Sequence, residues 1–331
     1  MRVLVTGATG FVGCHIIPAL LQRGYEVRCL VRSREKAKDL LNKYNVDIVI
    51  GDVTDPESLS GISDGIDYVI HLAAMGHVSA VTDESYKQFV RINEAGTGNL
   101  ISEFKNSPTL KRFVHFSSTA AMGPVGIPVL NEESIPNPVT PYQKSKRRSE
   151  ELVLNAVDSS GFPALIVRPC MIYGIGGYGE FYKFCRLMRK GIFPKVGIGK
   201  NLTPLVHVSD VVQGAILAME KGKKGQTYII ASDSSIKMDD LHRLIMKAVG
   251  KWAPYIYIPS GLALFGSKVG EYIFTLLGKE PIATYNNIKS TVTDRTFDIK
   301  KAKNELGYTV KMPFDKGINE TVSWYKTQGK L

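Results

Sequence analysis

Cysteine is scarce and scattered in this 331-residue chain: Cys14, Cys29, Cys170 and Cys185 stand far apart and no Cys-x-x-Cys pair occurs. That pattern excludes a disulfide framework and a thiolate zinc site, and it fits a reducing compartment. The histidines His15, His71, His77, His115, His207 and His242 show no His-x-x-x-His or other ligand spacing. No metal is expected from them, and core or strand-end roles are assigned instead. Long unbroken apolar runs are missing too. Residues 254–279 come nearest, but Lys268 and Glu271 interrupt them, which excludes a spanning helix of about 20 apolar residues. A buried helix pair or a substrate-pocket lid is the expectation there, with membrane association as an interfacial contact ranked last.

The opening segment "MRVLVTGATGFVG" enters a strand at once and lacks the apolar core and cleavage site of a signal peptide, so a cytoplasmic protein is expected. Acidic residues are outnumbered, 31 against 42 basic ones, for a formal charge of +11. That balance suits an anionic ligand such as a phosphorylated cofactor. The clusters "KSKRR" and "KGKK" are short and lack interleaved aromatics, so no nucleic-acid partner is expected. Internal repeats and low-complexity stretches are also absent.

What the chain does have is an alternation. "RVLVTG", "EVRCLV", "VDIVIGD", "IDYVIHLAA", "KRFVHFSS" and "FPALIVRP" read as fully buried strands, separated by helical stretches such as "GCHIIPALLQRG" and "REKAKDLLNKY". The fold class is therefore α/β: a Rossmann-type doubly wound parallel sheet, with ligands outside the carboxyl ends of its strands. Residues 1–174 are read as a nicotinamide-dinucleotide-binding domain, joined by segments near 206–231. The remainder, 175–331, is read as a smaller, interleaved and discontinuous substrate-binding region, with 175–205 and 232–295 as a cap. "PLVHVSDVVQGAILAME" reads as a strand-helix unit in which Asp210 caps the helix, and "QTYIIASD" as a strand that rejoins the sheet.

"VLVTGATGFVG" places Gly7, Gly10 and Gly13 between the first strand and the first helix. Glycines there let backbone approach a pyrophosphate at a helix N-terminus. With that spacing the chain resembles the extended short-chain dehydrogenase/reductase family, within the NAD-dependent epimerase/dehydratase superfamily. The resemblance runs through nearly the whole length and is nearest in look to the dihydroflavonol reductase and 3β-hydroxysteroid dehydrogenase branch. It is carried by "GATGFVG", "GDVTD", "HLAA", "NEAGTGNL", "FSSTAAMG", "YQKSK", "RPCMIYG" and "VHVSDVV" in the family's order. It implies cofactor contacts from Gly7, Thr9, Gly10, Phe11 and Val12, from Asp52 and Val53, from Leu72, Ala73 and Ala74, and from Asn93, Pro169 and Ile172.

The resemblance also implies catalysis by Tyr142 and Lys146, which match the family's Tyr-x-x-x-Lys, with Ser118 as hydroxyl partner and Thr119 as its rival. A free phenol has a pKa near 10. Lys146 is therefore expected to lower the pKa of Tyr142 and to bond the nicotinamide ribose, while Tyr142 exchanges a proton with the substrate oxygen. Val31 stands where an NAD enzyme carries an acid, and Arg32 follows with Arg34 and Lys36 near. This favours NADP(H), with NAD as the alternative. Met171 and Thr203 occupy places where sugar-nucleotide enzymes carry an asparagine and an arginine for the diphosphate. The expected substrate is accordingly a bulky, apolar ketone or secondary alcohol. Sugar-nucleotide epimerisation or dehydration and a non-catalytic cofactor-binding regulator are the alternatives. Family members commonly pair through helices, which implies a homodimer. Cys170 is read as unreactive pocket lining.

Overall fold

Seven parallel strands form the centre of the computed structural model, which describes residues 1–76, 82–124, 129–191, 193–251, 255–276 and 285–331. They are β1 (Arg2–Thr6), β2 (Glu26–Val31), β3 (Asp47–Ile50), β4 (Tyr68–His71), β5 (Arg112–Phe116), β6 (Ala164–Pro169) and β7 (Thr227–Ile230). Their order in the sheet is β7-β6-β5-β4-β1-β2-β3, with every neighbouring pair parallel. The "QTYIIASD" strand thus joins the sheet beside β6 as expected.

Period-2 geometry turns these apolar runs into two cores. Val3 and Val5 of β1 join one cluster with Ile16, Ile17 and Leu20 of α1 (Phe11–Gln22). The neighbouring Leu4 joins the other, with Leu100 and Phe104 further along the chain. β3 departs from the expectation of full burial: Ile50 is 45% exposed, because β3 is the last strand of the sheet and has a neighbour on one side only. α2 (Arg34–Leu41) connects β2 to this edge strand.

α3 (Asp83–Phe89) runs through a wide turn at Val90–Ala95 into α4 (Gly96–Phe104). α5 (Pro141–Ser160) packs beside α4. A separate apolar cluster ties α6 (Glu180–Arg189), α8 (Met238–Val249) and α11 (Phe314–Thr327) together through Cys185, Leu241, Ile245, Ile318 and Val322. Between α6 and α8 in sequence, α7 (Val208–Lys221) lies against α1. The short strand before it, Leu205–His207, pairs with Met171–Tyr173 rather than with the main sheet. Strands Phe193–Val196 and Tyr255–Ile258 pair in parallel, and α9 (Ser260–Leu276) packs on α10 (Tyr285–Val292). Among the described residues no helix is long and apolar enough to cross a membrane. Residues 254 and 277–279 of the long apolar stretch, and His77, lie outside the described residues.

The chain leaves β1 toward β2 and β3, then returns to the other side of β1 with β4. The crevice outside the carboxyl ends of β1 and β4 is therefore the topological switch point at which such sheets bind ligands.

Asp210 corrects an expectation. The helix cap of α7 is His207, whose side chain accepts from Ser209 N. The carboxylate of Asp210 instead accepts the backbone N–H groups of Lys311 at 3.0 Å and Met312 at 3.2 Å. It is 1% exposed and pins the segment that leads into α11. Asp210→Ala leaves two backbone donors without their acceptor, at about 1–3 kcal/mol each. The expected result is a loss of about 2 kcal/mol or more in urea unfolding; an unchanged midpoint would show that the segment does not need this anchor.

Candidate active site

The first strand ends at Thr6 and turns at Gly7, whose φ is 68°, a conformation that favours glycine. A Cβ on Gly7 would stand 2.8 Å from Ala73 N and Leu72 C, so the glycine lets the loop touch the end of β4. A Cβ on Gly13 would stand 2.4 Å from Gly7 O, which would push α1 off the loop. Gly10 is the N-cap of α1, with no side-chain cap bond and no acid in the first turn. The positive end of the helix dipole and its first N–H groups are thereby left to a ligand. This cradle fits the pyrophosphate of a dinucleotide.

Thr9 and Gly10 are exposed, and Phe11 and Val12 are half-buried. Leu72 and Ala73 are half-buried and Ala74 is exposed at the end of β4. Asp52, half-buried, accepts from Thr54 N at 2.9 Å. Val53 is buried against Gly96, where a Cβ would come within 2.8 Å of its Cγ2, and its carbonyl accepts from Asn99 Nδ2 at 2.9 Å. Arg32 and Arg34 are exposed where β2 ends. Pro169 closes β6, and half-buried Ile172 lies in the Met171–Tyr173 strand.

α5 begins with a reciprocal cap. Gln143 N donates to Thr140 Oγ1 at 3.3 Å and Thr140 N donates to Gln143 Oε1 at 3.2 Å, with Pro141 in the first turn. This cap puts Tyr142 in the first turn and Lys146 one turn on, on the same face. Lys146 is 4% exposed, and its Nζ donates to Phe116 O at the end of β5, at 3.0 Å. Two residues further on, the Ser118 hydroxyl accepts from Ala120 N at 3.1 Å and hydrogen-bonds the side chain of Tyr142. Between the two candidate hydroxyls, this bond joins Ser118 to the phenol; Thr119 opens the short turn Thr119–Met122. The Tyr142 ring packs on Phe89 at 5.7 Å between centroids.

Burial governs the electrostatics. It pushes the Tyr142 phenol up from its ordinary value, with the bond to Ser118 acting in the opposite sense. It pushes the Lys146 ammonium down to about 8, against the opposing charge of Glu150. The lowering of Tyr142 by Lys146, expected from the sequence, is thus not what the protein's own groups produce. Desolvation disfavours the charged form of each, and the nearest acid to Lys146 is on its own helix. Glu150 is itself buried and held by Arg168 of β6, with Nε and Nη2 each 2.7 Å from a carboxylate oxygen. Breaking such a paired geometry from one side costs about 3–5 kcal/mol.

A buried polar chain supports these groups, and its members were not legible in the sequence as a set. Thr97 Oγ1 donates to Asn93 O at 2.8 Å, so it accepts from His71 Nε2 at 3.0 Å. His71 Nδ1 then accepts from Thr6 Oγ1 at 2.7 Å, and Thr6 Oγ1 accepts from Ala73 N at 3.1 Å. Asn93 continues the chain: its amide accepts from Met75 N at 2.7 Å and donates to Ser145 Oγ at 3.0 Å, and Ser145 Oγ donates to Tyr142 O at 2.9 Å. The structure thus gives Asn93 a brace between the β4 end and α5. Apart from the local Thr97–Asn93 and Ser145–Tyr142 bonds, the partners stand 18 to 67 residues apart in sequence, a separation that no spacing rule registers.

His115 Nε2 pairs with Ser149 Oγ at 3.0 Å. With His71, His207 and His242 it is buried, as expected for core and strand-end histidines. Cys170 is 4% exposed, and burial raises its thiol. Met171 is half-buried and Thr203 is 8% exposed. Arg295 was missed. Its N donates to Leu202 O at 3.0 Å, next to Thr203, and burial lowers the pKa of its half-buried guanidinium.

With this geometry, the match to known proteins is direct. The model for the NAD dependent epimerase/dehydratase family matches residues 3–231. The chain belongs to that family. Its relatives include 4-hydroxy-2-methyl-3-oxo-4-farnesyl-3,4-dihydroquinoline-1-oxide ketoreductase of Stigmatella aurantiaca, 30% identical over 96% of this chain and 95% of the relative. A 3 beta-hydroxysteroid dehydrogenase/Delta 5-->4-isomerase of Mycobacterium tuberculosis is 31% identical over 98% of this chain and 90% of that one. Among solved structures, the dTDP-glucose 4,6-dehydratase DesIV of Streptomyces venezuelae, with NAD and TYD bound, matches with a TM-score of 0.78. It is 25% identical over 99% of this chain and 97% of its own. The family is one of nicotinamide-dependent oxidoreductases, epimerases and dehydratases, so the chain is an enzyme of the short-chain dehydrogenase/reductase type with a Rossmann fold.

The buried histidines set an acid limit on stability. Burial lowers His71 to about 3 and His207 and His242 to about 4, against about 6.5 unfolded. The unfolded chain therefore binds more protons as pH falls below 6.5, and stability drops progressively from there toward 4. Urea midpoints measured from pH 7 to pH 4 should fall steadily; a flat profile would contradict this placement of the rings.

Proposed function

We propose that the protein is an NADP(H)-dependent carbonyl reductase or alcohol dehydrogenase acting on a bulky, apolar substrate. The observation that carries this is the Tyr142 hydroxyl joined to Ser118, with Lys146 anchored at the end of the adjacent strand. When bound, the nicotinamide supplies or accepts the hydride. Tyr142 gives its proton to the carbonyl oxygen in reduction, which suits a phenol kept protonated by burial. Ser118 positions that oxygen through its hydroxyl. Lys146 spends one of its three donors on Phe116 O and offers the others to ribose hydroxyls. Gly7, Thr9, Gly10, Phe11 and Val12 hold the pyrophosphate, while Asp52, Val53, Leu72, Ala73, Ala74, Pro169 and Ile172 line the rest of the cofactor crevice.

The division into a cofactor domain, 1–174 with 206–231, and a discontinuous substrate region belongs to this reading, as do a cytoplasmic location and a homodimer. The apolar substrate is supported by Met171 and Thr203 and by the names of the ketoreductase and hydroxysteroid dehydrogenase relatives. A sugar-nucleotide substrate is the second reading, favoured by the half-buried guanidinium of Arg295 beside Thr203 and by the dehydratase relative.

Nicotinamide absorbance followed over a panel of hydrophobic ketones and sugar nucleotides separates the two. Turnover of ketones, reduced at least about 100-fold by Tyr142→Phe with cofactor affinity kept, is the expected result. Turnover of sugar nucleotides alone would overturn the apolar assignment, and full activity in the variant would overturn the role of Tyr142.

The cofactor preference rests on Arg32, exposed where β2 ends, and on Val31 in place of an acid. NADPH is expected to bind at least about tenfold more tightly than NADH, and Arg32→Asp to reverse the order. Tighter NADH binding by the unaltered protein would refute NADP(H).

A further inference from the structure

α9 carries a second apolar arc on its outer side, unlike an ordinary surface helix. Leu262, Phe265, Val269, Tyr272 and Ile273 are 63, 68, 41, 68 and 46% exposed. At 3.6 residues per turn they fall on one arc of roughly 120°. The opposite side holds half-buried Ala263, Leu264 and Phe274, together with Ser267, 8% exposed with its hydroxyl bonded to Leu264 O, and Glu271, which accepts from Tyr285 N of α10 at 2.9 Å. A surface helix normally puts its apolar arc toward the core; here an apolar arc faces out along about 17 Å of helix. Ile256 and Tyr257, in the strand just before α9, are 53 and 56% exposed.

We propose that this face of α9 docks on an anionic membrane surface, from which the enzyme takes its substrate. The source of the substrate rests on the apolar-substrate reading above; the docking does not. Charge selects this occupant. In the described segments 193–200, 255–276 and 285–292, Lys200, Lys268 and Lys289 oppose the single acid Glu271, whose carboxylate is engaged by α10; Lys195 of the same segments is paired with Asp239 at 2.7 Å. Lys268 belongs to the outer surface as an exposed residue of α9 and stacks over the Tyr285 ring at 4.7 Å. The chain as a whole carries +11. An apolar arc rimmed by lysine is the pattern of helices that lie in the interfacial plane. With Lys268 and Glu271 within its 17 residues, α9 is suited to lie on a bilayer.

The test is co-sedimentation with vesicles of phosphatidylcholine alone and of phosphatidylcholine with phosphatidylglycerol, without substrate. Binding to the anionic vesicles is expected, weakening with added salt and falling at least about tenfold in the pair Phe265→Glu, Tyr272→Glu. Thermal unfolding and NADPH binding, unchanged in that variant, would show an intact fold; if they change, Val269→Asn alone serves with the same expectation. Absence of binding to either vesicle, or binding that the substitutions leave unaltered, overturns the proposal. So does a concentration-dependent dimer in sedimentation velocity that the substitutions disperse, which would assign the face to a second copy of the chain. Because no turnover is measured, vesicle binding and the substrate panel fail independently.

Discussion

The anchoring of Lys146 to the carbonyl of Phe116, at 3.0 Å, is the contact on which the site depends. It fixes α5 against the end of β5 and so sets where Tyr142, one turn earlier, meets Ser118, two residues beyond Phe116. The same burial that makes the geometry firm taxes both titratable groups. An ammonium loses charge more readily and a phenol less readily when water is withdrawn; in the protein alone the phenol stays neutral, while Lys146, lowered to about 8, still carries its charge at neutral pH. A protonated phenol is the form required to deliver a proton to a carbonyl oxygen. The oxidative direction requires that proton to leave, and in that direction the electrostatic cost of burial has to be offset.

Two layers of support hold this arrangement. Beneath Lys146, the Glu150–Arg168 pair locks the helix to β6 by two bonds of 2.7 Å. Beside Tyr142, Asn93 and Ser145 connect the helix to the loop after β4, and His71 connects that strand to Thr6, next to Gly7. The cradle for the pyrophosphate and the helix that carries the phenol are therefore parts of one hydrogen-bonded frame. Because the links are short and buried or part-buried, displacement of one member is felt by the rest.

How much of this was legible in the sequence follows from where the information lies. Period and glycine spacing are local, so "VLVTGATGFVG" and the seven strands could be read directly. The Tyr-x-x-x-Lys pair was legible through resemblance, since its spacing alone describes an ordinary helix face. Contacts between distant segments were not legible. Asp210 looked like a helix cap because an acid beside a helix start usually is one, yet its partners Lys311 and Met312 arrive from 101 and 102 residues away. β3 looked like a buried strand because its composition does not reveal that it is last in the sheet. The upward push of burial on Tyr142 was hidden for a related reason: proximity of a lysine was legible, whereas the extent of burial emerges only from the packed fold.

Burial, rather than pairing with Tyr142, is the force that sets the charge of Lys146. A direct test is the titration of its Nζ by NMR in cofactor-free protein, with Lys146→Arg used for assignment. The account predicts a midpoint about 8; a midpoint at the ordinary value of about 10.4 would contradict it.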